Sequence, residues 1–203
     1  MPKDDTMKHI ATFFAAAALA GCASLPGQNE PPHYDYQQQA VIAPGFPIER
    51  VDQPAGYSFS GVETNSDVAE YSAWDSGSGQ INSHWTAWQS LEGTISVAQA
   101  GYLWVDGQTY MKPPQSSQGY EFVNGRKVLH MFDAGRYEVV AGIAPEGAPD
   151  CAYATGLAIT SRDARRRYVS TLTEGISCDE LGNVTPSDRQ AQLERTYRVM
   201  GLK

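Results

Sequence analysis

Long apolar runs, histidines, basic residues and closely spaced cysteines are all scarce in this chain, and each scarcity closes off a class of function. Beyond the N-terminal region no stretch offers the roughly 18 apolar residues of a membrane-spanning helix, and a mean hydropathy of −0.40 fits a soluble body. Lys and Arg number 15 against 23 Asp and Glu, a formal charge of −8. An acidic body is a poor binder of nucleic acid through its overall field, and no nucleic-acid partner is expected. Of the 4 histidines, only His84 and His130 fall in the part read as folded, and neither sits in a nucleophile motif such as Gly-x-Ser-x-Gly. The 3 cysteines include no Cys-x-x-Cys pair and have no nearby histidine, which argues against a redox or zinc motif. No catalytic residue, metal or diffusible cofactor is therefore expected. The nearest approaches are a zinc site from His84, His130 and Asp133, and a hydrolase serine at Ser78 in Asp75-Ser76-Gly77-Ser78-Gly79.

What the chain does have begins at its N-terminus. Lys8 and His9 precede an apolar run from Ile10 to Ala18 that is too short to span a bilayer and ends in Leu19-Ala20-Gly21-Cys22. This pattern reads as an export signal. Asp4 and Asp5 suit a basic leader poorly, so Met7 is an alternative start. The Leu19-Ala20-Gly21-Cys22 string resembles the lipobox of bacterial lipoproteins. That resemblance implies removal of residues 1–21 and attachment of lipid, including palmitate, to the sulfur and new amino group of Cys22. It further implies a Gram-negative envelope protein held to the membrane by its lipid. Because Ala23 and Ser24 follow the cysteine, the outer membrane is expected, with the body in the periplasm or at the surface. Several buried acyl chains, at about 0.8 kcal/mol per methylene, make such an anchor nearly permanent. The resemblance covers the signal alone.

With Cys22 carrying lipid, Cys151 and Cys178 remain, and in an oxidising compartment an even remainder reads as a disulfide. Closing that loop stabilises by about 3.5 kcal/mol in the chain-entropy treatment. Residues 22–47 contain Pro26, Pro31, Pro32, Pro44 and Pro47 and read as a tether. The alternative is that Tyr34, Tyr36, Val41 and Ile42 dock this stretch on the body. The body, over 48–203, is expected to be mainly β: an antiparallel, sandwich-like domain, with an immunoglobulin-like arrangement as one form of it. Asn124-Gly125 and Asp106-Gly107 each separate two strand-like runs and predict tight hairpins. Further strands are expected over 57–63, 80–89, 93–98, 136–143, 153–160 and 168–173. Asp133-Ala134-Gly135-Arg136-Tyr137 resembles the tyrosine corner of immunoglobulin-like sandwiches. A helix is expected at about 186–200, capped by Thr185, with Pro186 in its first turn and Leu193, Tyr197 and Met200 as an apolar stripe.

Two segments are candidate binding surfaces. Trp74, Trp85 and Trp88, with His84, Tyr71 and Asn82 among them, suit the apolar faces of sugars or a protein partner. Trp85 and Trp88 point to opposite faces of a strand, so at least one serves the core. Arg165, Arg166 and Arg167 close the one basic run. It is either a solvated turn or a contact for lipopolysaccharide phosphates, peptidoglycan carboxylates or an acidic partner. These features imply a non-enzymatic binding or structural accessory subunit of a cell-envelope complex, whose partner is an envelope protein or peptidoglycan. The competing readings are an inhibitor or immunity-type lipoprotein against a cell-wall hydrolase, and an envelope glycan or peptide hydrolase with His84 or His130 as base.

Overall fold

The computed structural model describes residues 30–70, 78–105, 119–142 and 144–202. Three short strands, β1 (His33–Asp35), β2 (Ala40–Ile42) and β3 (Arg50–Asp52), form an antiparallel sheet in that order. The second sheet holds seven strands: β4 (Ser58–Glu70), β5 (Ser78–Ser90), β6 (Ser96–Val105), β7 (Tyr120–Val123), β8 (Arg126–Arg136), β9 (Cys151–Thr160) and β10 (Arg166–Ile176). Their order is β4-β5-β6-β10-β9-β8-β7. The chain thus lays down two antiparallel meanders, β4 to β6 and β7 to β10, joined where β6 pairs with β10 from Trp104↔Arg166 to Ser96↔Glu174. Helix α1 (Tyr137–Ala141) interrupts the second meander, and a 3-10 turn (Cys178–Asn183) leads into α2 (Pro186–Val199). No described helix is long and apolar enough to cross a membrane.

Strand alternation sorts the side chains onto two faces. One face carries Trp88 of β5, Ala98, Ala100 and Tyr102 of β6, Leu157 and Ile159 of β9, and Tyr168 and Leu172 of β10. The three-stranded sheet and α2 cover this face and complete the main core with Tyr34, Val41, Phe46, Val51, Tyr197 and Met200. Aromatic rings stitch the layers together. Tyr34 stacks on Phe59 at 4.5 Å between centroids, and Phe46 meets Tyr102 edge-on at 5.3 Å. Each such pair adds roughly 0.5–1.5 kcal/mol beyond its buried area. On the opposite face a smaller cluster forms from Val97, Tyr137, Ala141 and Ala152. The fold is mainly β and sandwich-like with a C-terminal helix, as expected.

The tether expected over 22–47 is folded onto the body from His33 onward. Tyr34, Val41 and Phe46 are core residues, so the alternative of docking is the one realised. Tyr36, although 70% exposed, sets its ring against Tyr34 and Phe59. The prolines mislead because Pro44 and Pro47 sit in the turn between β2 and β3, where they break no ladder. The body therefore begins near His33 rather than at residue 48. Residues 1–21, Cys22 and Trp74 lie outside the described residues.

The Asn124-Gly125 hairpin forms as expected, with both turn residues at positive φ, 50° and 73°. Asp106-Gly107 and its second arm lie outside the described residues. The first arm, however, cannot belong to a hairpin there, because Tyr102 pairs with His84 on one edge and Tyr168 on the other. The strand expected over 136–143 is also corrected. Pairing of β8 with β9 ends at Arg136↔Cys151, the Tyr137 N–H donates to Asp150 O at 2.9 Å, and the chain coils into α1 until Gly142 turns left-handed at φ 74°. The Tyr137 hydroxyl donates to Ile95 O at 3.4 Å, far back in the chain, so it pins β6 rather than an immunoglobulin-type corner.

Helix α2 starts as expected. Thr185 accepts from the Asp188 N–H at 3.3 Å, and the Asp188 carboxylate accepts from the Thr185 N–H at 2.8 Å. Its apolar stripe faces the main core. Less expected is fully buried Gln192, which donates to Tyr153 O and Leu172 O and accepts from the Thr155 hydroxyl at 2.6 Å. The expected disulfide joins Cys151, at the head of β9, to Cys178, where the 3-10 turn begins. Replacing Cys178 by Ala removes a 27-residue constraint that holds the root of α2 to the sheet. A stability loss of about 3.5 kcal/mol is expected, read as a lower urea midpoint than that of the oxidised wild type and one that reductant no longer changes.

Candidate functional site

The tryptophan segment divides as the odd spacing requires. Trp88 is fully buried in the main core, while Trp85 lies half-buried on the opposite face. There it lies over Gly101, its cross-strand partner, so closely that a Cβ on Gly101 would fall within 2.4–2.6 Å of the indole. Glycine is required at 101 because the ring occupies that space. His84, only 3% exposed, shares the main-core face with Trp88, and its Nε2 lies 3.2 Å from the Thr86 hydroxyl. Burial, assisted by the charge of His33, lowers its pKa to about 4. His84 is thus a neutral core residue.

Arg165, Arg166 and Arg167 do not form a loose loop. Arg165 lies in the β9–β10 turn, where Asp163 accepts from its N–H at 3.1 Å. Arg166 and Arg167 open β10 on alternate faces, Arg166 over the Phe46 ring at 5.5 Å and Arg167 bonded to Thr160 at 3.2 Å. Around them Arg126, Lys127 and Arg162 line a cavity of about 650 Å³ with Phe46 and Ile159.

The proposed zinc ligands do not meet. His84 stands on β5 and His130 on β8, with β6, β10 and β9 between them, a separation of about 19 Å at the usual strand spacing. Asp133, three positions beyond His130 in the same strand, belongs to the other face. Among the described residues no group of three His, Cys, Asp or Glu side chains is placed to hold a metal.

What the structure does assemble is a cleft between α2 and the β7–β8 hairpin. Arg189, Leu193 and Tyr197 recur every four residues and so share one flank of the helix. Opposite them stand Glu121 of β7 and His130 and Phe132 of β8, all on the main-core face. The cleft encloses about 260 Å³ and is lined also by Met131, Thr155 and Pro186. At its inner end the His130 Nε2 lies 3.0 Å from the Tyr197 hydroxyl and 3.5 Å from Glu121 Oε1. Burial, with Glu121 hydrogen-bonding beside it, pushes the Tyr197 phenol well above its ordinary pKa. This cluster links helix, edge hairpin and sheet. The Thr155 hydroxyl is engaged by Gln192. Arg189 lays its guanidinium over the Phe132 ring at 4.5 Å, and its buried Nε has no hydrogen-bond partner. Beyond Tyr197 a second cavity of about 470 Å³ continues along the helix to Arg126, Met200 and Leu202.

Of the cleft's members the sequence marks His130 as a candidate base and Pro186, Leu193 and Tyr197 only as parts of the C-terminal helix. Glu121 and Arg189 carry no local signal, since the cleft exists only once the hairpin and the helix meet. Comparisons with protein-family models, with curated proteins and with solved structures return no match.

Gly101→Ala is expected to displace Trp85 and cost about 1–3 kcal/mol, seen as a lower urea midpoint together with a shift in tryptophan emission. His84 gives a pH signature. Its folded pKa of about 4 lies below the unfolded value near 6.5, so between these the unfolded state binds more protons. Its contribution is therefore full above pH 6.5 and is lost as pH falls toward 4, by of the order of 3 kcal/mol. Urea midpoints measured across this window should fall more steeply for the wild type than for His84→Gln.

Proposed function

We propose that this chain is an envelope lipoprotein, anchored by lipid on Cys22, whose folded body is a non-enzymatic binding or accessory subunit of a cell-envelope complex. The observation that carries the reading is the bridge between Cys151 and Cys178. A structural disulfide suits an oxidising, exported environment. The pairing also singles out the one remaining cysteine, which closes the apolar N-terminal run in the lipobox-like string. An outer-membrane location follows from Ala23 and Ser24, on the resemblance alone.

The anchor lies close to the body in this reading. Because the fold begins at His33, the chain from Cys22 reaches at most about 35–40 Å when fully extended. His33 pairs with Ile42 and Ile42 with Arg50, which lines the 470 Å³ cavity together with Arg126. The chain thus enters beside that cavity. Binding suits the α2 cleft better than catalysis does: His130 faces Tyr197 and Glu121, Thr155 is engaged by Gln192, and Phe132 and Leu193 set apolar surface beside the Arg189 cation. The partner is an envelope protein or peptidoglycan, met through this cleft.

Cys22→Ser should move the protein out of the membrane fraction, and the wild type should carry the added mass of its acyl chains at Cys22. A wild-type chain with unmodified Cys22 and no membrane association sinks the anchored reading.

A further inference from the structure

Arg189 is placed where folding alone gives it little reason to be. It lies in the first turn and a half of α2, near the positive end of the helix dipole, where a cation is disfavoured. Its neighbour Asp188 is turned back onto Thr185, accepting from the backbone N–H at 2.8 Å and the hydroxyl at 2.7 Å, and so gives Arg189 no ion pair. Among the described residues no other carboxylate forms an ion pair with the guanidinium. Its Nε is buried without an acceptor, while the residue as a whole stays partly exposed. Phe132 lies against the guanidinium, fixing its plane, and the group lines the cleft.

The Nε itself is covered, but the two Nη groups at the head of the same guanidinium make no hydrogen bond to any described residue, and their paired donors at the cleft match the two oxygens of a carboxylate. The remainder of the cleft selects what that carboxylate is attached to. Phe132 and Leu193 offer apolar wall, and about 260 Å³ is room for roughly nine waters' worth of ligand at ~30 Å³ each. Glu121, on the opposing wall, disfavours a dianion or a second acidic group.

We propose that the cleft between α2 and the β7–β8 hairpin is a carboxylate-binding subsite, in which Arg189 receives the single carboxylate of a ligand ending in a small apolar group. Peptide C-termini and small aliphatic acids share this chemistry. The inference rests on the binding-subunit reading and deepens it by naming the ligand class. It does not depend on the anchor, because lipid at Cys22 is read separately by mass and fractionation.

The test uses the full chain in detergent, titrated with N-acetylalanylalanine, with its C-terminal amide and with propionate. Affinity is followed by calorimetry and the Arg189 Nε–H resonance by NMR near pH 6. The free acid should shift that resonance and the amide should not. Tighter binding of the peptide than of propionate by about tenfold or more assigns the subsite to peptide termini, and equal binding assigns it to small acids. Arg189→Met should weaken the acid by about tenfold or more, with Arg189→Lys intermediate. The melting temperature of Arg189→Met should be unchanged or higher, because a buried donor without a partner is removed. The proposal is overturned if neither acid binds at about 10 mM, if acid and amide bind alike, or if Arg189→Met lowers the melting temperature while leaving affinity intact.

Discussion

The ladder between β6 and β10 is the interaction on which the rest of the molecule depends. Each meander is local, its strands following one another in the chain, and neither offers a face wide enough to bury a helix and a second sheet. Pairing from Trp104↔Arg166 to Ser96↔Glu174 joins them into one surface. Tyr102 and Tyr168 then lie side by side with their rings 5.3 Å apart. Onto that surface the chain folds its two ends: the three-stranded sheet brings Tyr34 and Phe46, and α2 brings Tyr197 and Met200. Because this pairing is between distant segments, its closing entropy is offset only when both ends have docked.

The docking of α2 is specified by polar groups as much as by apolar ones. Fully buried Gln192 fills both its donor and acceptor capacity on β9 and β10. A buried amide satisfied this completely fixes one register, since a shift along the helix would leave three polar groups without partners. The bridge from Cys151 to Cys178 sets the root of the same helix. With register and root fixed, the flank that carries Arg189, Leu193 and Tyr197 is held against β8. The cleft is thus a consequence of how the core is closed.

Much of this was legible in the sequence wherever the signal was local. Asn124-Gly125 announced its hairpin because only a few residues tolerate two successive positive φ values. Thr185-Pro186 announced α2, and counting cysteines gave the bridge. Legibility failed where non-local pairing overrode local preference. Three-residue strands in a proline-rich stretch carry no periodicity, yet Val41 becomes core because a sheet face is waiting for it. Asp106-Gly107 has the composition of a hairpin turn, but both edges of β6 are already taken. Tyr137 begins a helix because the ladder between β8 and β9 has ended. Of the cleft, His130 and the helix stripe through Leu193 and Tyr197 were visible beforehand. Glu121 and Arg189 meet them through tertiary structure alone.

Two arginines on α2 show what this fold does with a cation when the charge serves structure. Arg195 bonds the Glu174 carboxylate at 2.6 Å through Nη2, and through Nε at 3.0 Å, with Tyr153 adding a third partner at 3.3 Å. That carboxylate raises its pKa further. The guanidinium is held on the side of the helix that faces β10. Six positions earlier Arg189, on the opposite flank, receives an aromatic face and a space instead. The same helix, on the same sheet, therefore supplies one arginine with acceptors from Glu174 and Tyr153 and leaves another without one among the described residues. Since α2 is fixed in register by Gln192, the difference is not slack in the packing. It marks the Arg189 side as the one where the protein's polar groups are completed from outside.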